Sequence, residues 1–148
     1  LVPYTNIKDP DLIDKVKRFL SSNGSSAYSD AQIIERLKDA LPFLNMDFNE
    51  SFSYDDTGKL NKTMSDTLAA MLCLRAGISI LRTEALEESK NAVKVKDGDQ
   101  TIDLTRIAAA KREIVEENEK KYESLVRKLN WDQSLGESII LEQYRIWD

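Results

Sequence analysis

Apolar residues recur at helical spacing along most of the chain, with charged residues between them. The first stripe is Leu12, Ile13, Val16, Phe19 and Leu20, preceded by Asp9-Pro10, an N-cap followed by proline at the first helical position. The run Ser21–Ser26 ends this helix in a loop. Ser29 opens a second helix, and Gln32, three residues on, completes a capping box. Ile33, Ile34, Leu37, Ala40 and Leu41 form its stripe, and Pro42 is expected to stop it. A third helix is predicted from about Thr63 to Lys90. Its middle, Leu68–Leu81, is apolar nearly all round, with Arg75 as the only charge, which places it at the centre of the domain. Gly77 costs about 1 kcal/mol of helix propensity and so implies close packing against another helix. A fourth helix, capped by Asp103 and ending at Asn130, carries Leu104, Ala108, Val115, Tyr122, Leu125 and Leu129 as a seam of near-heptad spacing. Lys111 and Asn118 interrupt that seam.

The segments between these stripes read differently. The first seven residues form an extended arm. Phe43–Leu60 is a long loop with strand character, in which Phe48, Phe52 and Tyr54 share a face and Asp55-Asp56-Thr57-Gly58 turns the chain. Asn91–Arg106 alternates apolar with polar on both sides of Asp97-Gly98-Asp99, a sequence that reverses a chain. It is expected to be an ordered extended excursion, a projection that touches something. The last stretch, Trp131–Asp148, holds both tryptophans and is too apolar for a frayed terminus, so it should either fold onto its own domain or dock on a partner. The prediction is an all-α bundle of about four helices, with an extended β-like loop between the two long ones. Residues 1–130 form the bundle domain (extended loop 91–103) and 131–148 a C-terminal docking tail.

Composition narrows the class. At 148 residues, 32% charged and 41% hydrophobic, the chain suits one helix-rich domain with a real core. Its net charge of −5 argues against a wholesale nucleic-acid footprint. No stretch approaches the ~20 apolar residues of a membrane helix, and the start lacks the basic-then-apolar pattern of a signal peptide. The lone Cys73 lies in an apolar helical run and reads as inert core.

Catalytic and metal chemistry find little material. Histidine is absent, which removes the usual zinc sites and the usual base for a serine or cysteine nucleophile. Asp97, Asp99 and Asp103 lack the oxygen series and terminal glutamate of a calcium loop, so they read as a turn and a cap. The adjacent pairs Glu87-Glu88 and Glu116-Glu117 point along different helix directions and read as surface charge. The chain is expected to be a non-enzyme without cofactor or metal. Lys94, Lys96, Arg106, Lys111 and Arg112 form a local basic cluster that suits phosphate contacts or an acidic protein partner.

The order of elements carries a resemblance. An apolar helix reading DTLAAMLCLRAGISILRTEAL leads into the lysine-flanked turn VKVKDGDQTIDLTR and then TRIAAAKREIVEENEKKYESLVRKL, spanning Asp66–Leu129. This pattern resembles the head-to-tail adaptor (connector, or head-completion) proteins of tailed bacteriophages. The resemblance implies a ring, typically of twelve copies, in the virion neck, built in the host cytoplasm. Its partners would be the portal protein and the next neck or tail protein, with DNA passing through the lumen without sequence-specific binding. The family's C-terminal segment commonly reaches the portal, which makes Trp131, Leu135, Ile139, Ile140, Tyr144 and Trp147 the implied docking residues, and the extended loop would be a neighbour-subunit or lumen contact through Val93, Lys94, Val95, Lys96 and Ile102. The alternative is a non-catalytic helical scaffold or regulatory module, binding nucleic acid through the Lys94–Arg112 cluster.

Overall fold

The computed structural model describes residues 3–25, 28–94 and 98–146, except for the side chains of 92–104 and 132–146. Four helices carry the fold: α1 (Pro10–Ser22), α2 (Asp30–Phe48), α3 (Asp66–Lys94) and α4 (Gly98–Ile146). Two short strands, β1 (Tyr4–Asn6) and β2 (Lys59–Met64), pair antiparallel, with Tyr4 opposite Met64. The all-α bundle with a small β-like element is therefore present.

Local chemistry sets the helix starts. The Asp9 side chain accepts from the Asp11 amide, and Pro10 follows it at the first position of α1. Ser29 and Gln32 form the reciprocal capping box of α2, at 3.3 and 2.9 Å. Pro42 does not stop α2, contrary to the sequence expectation. It lies on the exposed face, while Leu41 and Leu44 beside it are buried. Continued burial of that stripe offsets the one backbone hydrogen bond that proline removes. The helix instead ends at Asn49, whose φ of 53° is the left-handed conformation that asparagine tolerates. Asn45 then clamps the returning chain, donating to the Phe52 carbonyl and accepting from the Phe52 amide, both at 2.9 Å.

That clamp makes Phe43–Leu60 less of a loop than its sequence suggests. Residues 43–48 belong to α2, Phe52 is buried, Phe48 is half-buried and Tyr54 is exposed. The turn at Asp55–Gly58 forms as expected, with Asp55 accepting from the Thr57 and Lys59 amides and Gly58 at φ 85°. Strand β2 follows directly, a segment the sequence pattern had not separated from the loop.

α3 is the central helix, packed against α1, α2 and α4. Gly77 is a point of close approach: a Cβ there would meet Phe19 Cδ1 of α1 at 2.2 Å. α4 lies along α3 through Ala108, Val115 and Tyr122, buried residues exactly one heptad apart. The polar interruptions have partners. Lys111 pairs with Glu88 at 3.3 Å, and Asn118 donates to Asn23 at the end of α1 and to the Ile114 carbonyl.

Two expectations about this hairpin are corrected. The segment read as an extended excursion, 91–103, is helical on both sides: α3 continues to Lys94 and α4 begins at Gly98, so Asp103 is interior and caps nothing. An isolated two-stranded ribbon is marginal in water, whereas lengthening an existing helix adds a hydrogen bond for each residue fixed. Short runs of apolar alternation do not outweigh that. The second correction concerns Asn130, which does not end the fourth helix. α4 runs through it to Ile146, so the boundary between bundle and tail falls within one helix.

Candidate functional site

The antiparallel register of α3 and α4 fixes where the bundle stops covering α4. Glu88 faces Lys111, Arg82 faces Glu119, and Arg75 lies 5.4 Å from the Tyr122 ring. Continued in step, Asp66 at the start of α3 comes level with about residues 131–135 of α4. The remaining turns, to Ile146, run past the start of α3.

At this point the end of α2 is tied to α4. Tyr122 donates to Asp47 Oδ2 at 2.6 Å, and Asn130 Nδ2 donates to the Asp47 carbonyl at 3.1 Å. Burial, and then the Asp47 carboxylate, push the Tyr122 phenol well above its ordinary range. Next in sequence to the two tied residues, Asp47 and Asn130, stand two exposed large apolar side chains. Trp131 is 67% exposed and Met46 77% exposed. Trp131 lines an open cleft with Arg127, Lys128 and Asn130.

The residues expected to dock on a partner therefore divide. Trp131 is an exposed aromatic where α4 leaves the bundle. Leu135, Ile139, Ile140 and Tyr144 are on α4, but their side chains lie outside the described residues, and Trp147 is outside them altogether. Of the expected inter-subunit loop, Val93 and Lys94 are in α3 and Ile102 is in α4, while Val95 and Lys96 lie outside the described residues. The side chains of all five are likewise outside them.

The basic cluster does not converge where it is described. Lys111 turns onto Glu88. Arg106 and Arg112 are both exposed, but six residues on a helix turn them about 120° apart.

Chemistry elsewhere is structural. Ser25 and Tyr28 both donate to Glu84 Oε1, at 2.6 and 2.5 Å, fastening the α1–α2 connection to α3. Burial, with the Glu84 contact, raises the Tyr28 phenol to about 12. Burial alone accounts for most of the rise of Cys73 to about 12, which leaves it an unreactive thiol. Among the described residues no group of three or more carboxylates and thiols is arranged to hold a metal. No helix there is long and apolar enough to cross a membrane.

Sequence reasoning singled out Arg75 as the one charge in an apolar helix but not the cleft it enters. Arg75, Ile78, Ser79 and Arg82 of α3 face Asp39, Ala40 and Phe43 of α2 across a cavity of about 190 Å³. Arg82 is paired with Glu119, and Arg36 donates to Ser79 Oγ at 3.2 Å. The Arg75 guanidinium lies 4.7 Å from the Phe43 ring centroid. The signal for this site was the arginine itself, since a helix surrounded on all sides has no place for a charge. Comparison with known proteins returns no match, whether to a protein family, a characterised protein or a solved structure.

Proposed function

We propose that this chain is a non-catalytic assembly protein of a phage neck, forming a ring that joins the portal to the tail components below and extends the DNA channel. The reading rests on the order of elements in the sequence, and one structural observation supports it most. α4 is about 73 Å long against about 43 Å for α3, and it leaves the bundle at an exposed tryptophan. A helix that outruns its partner offers a length on which a second chain can dock. An aromatic side chain flanked by Arg127 and Lys128 is the type of group that dominates interface energetics. The hairpin of α3 and α4 would then serve as the rigid spoke of each subunit, with the far end of α4 reaching the portal. The net charge of −5 suits a lumen through which DNA slides without sticking. In this role the protein resides in the virion neck, after assembly in the host cytoplasm.

Deletion of residues 134–148 tests the assignment. The truncated chain is expected to keep its helical circular dichroism and cooperative melt while losing association with the portal. Collapse of the helical signal would make the segment part of the core and overturn its docking role.

A further inference from the structure

We infer that the cleft between α2 and α3 is a binding site for a single carboxylate, carried on an acidic side chain of a protein segment. The inference goes beyond the assembly reading and does not depend on it. Its starting point is Arg75. This side chain is half-buried, yet among the described residues it makes no hydrogen bond and no ion pair. Its only close partners are the faces of Phe43 and Tyr122, at 4.7 and 5.4 Å. A guanidinium offers five donors in a planar fork that fits a carboxylate. Its nitrogens stay open to solvent, so the fork is free to take a carboxylate that enters the cleft.

The surroundings select the anion. The charged side chains that line the cavity are Arg75, Arg82 and Asp39, two guanidiniums against one carboxylate, so the lining carries one net positive charge. One charge matches a carboxylate. A phosphate dianion would exceed it and would face Asp39 as well. Ala40, Phe43 and Ile78 line the rest of the cavity, and about 190 Å³ accommodates a short methylene stem but not a bulky ligand. Phe43 is 49% exposed, an apolar surface beside the cleft for the backbone that carries the acid.

The test follows the Arg75 Nε–H resonance by NMR at constant ionic strength. The probe is the blocked tripeptide N-acetyl-Ala-Glu-Ala-amide, compared with its glutamine analogue, acetate and inorganic phosphate. A saturable shift is expected with the glutamate peptide, with binding at least tenfold weaker for the glutamine analogue and for acetate. Arg75→Gln should weaken peptide binding at least tenfold, and Asp39→Asn should tighten it several-fold. Asp39 is exposed, so its substitution decides the matter even if Arg75→Gln fails to fold. The absence of a saturable shift, an equal response to phosphate or acetate, or an unchanged affinity in Asp39→Asn would each overturn the assignment.

Discussion

Single residues here act through what they touch, and the sequence showed some of those contacts and hid others. Gly77 was legible because glycine is a poor choice inside a helix; that Phe19 is the reason could not be read from spacing. An alanine there must displace the Phe19 ring. Overpacking of this kind costs about 1–3 kcal/mol, and the better helix propensity of alanine returns about 1. Gly77→Ala is therefore expected to destabilise by about 1 kcal/mol, read from a thermal melt, and trimming Phe19 to Leu should remove most of the effect. Tyr122 gives a pH-dependent case. Its folded pKa is raised above the unfolded value near 10, so the fold favours the protonated phenol. That stability is fully present below pH 10 and is lost as pH rises above it, and Tyr28, raised to about 12, adds to the loss in the same window. Denaturant titrations between pH 9 and 11.5 should show stability falling. Tyr122→Phe should flatten the fall while costing about 1 kcal/mol at pH 8, where its bond to Asp47 is missing.

At the scale of elements, periodicity and caps carried most of the information. The starts of α1 and α2 and the heptad of α4 were all visible, because each depends on residues close in sequence. The misses share one cause. Pro42, Asn91–Arg106 and Asn130 each looked like a local stop or change of structure; the helix runs through Pro42 and Asn130, and on either side of 95–97 the chain is helical, in α3 up to Lys94 and in α4 from Gly98. What decided them was packing against another element, or the gain from extending a helix already formed. β2 was missed for a related reason: besides its local bridge from Tyr54 to Leu60, Lys59–Met64 pairs with Tyr4–Asn6 across more than fifty residues, a contact that spacing does not show. The α3–α4 seam can be tested directly. Val115 is buried against α3, and Val115→Ala removes two methyl groups from it, for a loss of about 2 kcal/mol. The nearby Glu116→Ala, on the exposed side, should stay within about 0.5 kcal/mol of the parent chain. Equal effects at the two sites would mean that the seam does not hold the hairpin.

For the whole molecule, the fold was more legible than the function. A bundle with a central apolar helix could be read from hydrophobic spacing, whereas docking surfaces depend on which apolar residues the fold leaves uncovered. Trp131 and Met46 are exposed because the Asp47 tie brings the end of α2 to α4 where the cover of α3 runs out. The Arg75 cleft likewise exists only once α2 and α3 are packed together. The central claim is that α4, where it leaves the bundle, joins this chain to a portal ring. Light scattering of the purified chain mixed with the portal protein encoded in the same genome tests that claim most directly. The account predicts a discrete complex with several copies on each portal, lost when Trp131→Ala is combined with removal of residues 134–148. A chain that stays monomeric and never associates with the portal, or a truncated variant that binds as well as the full chain, would contradict it.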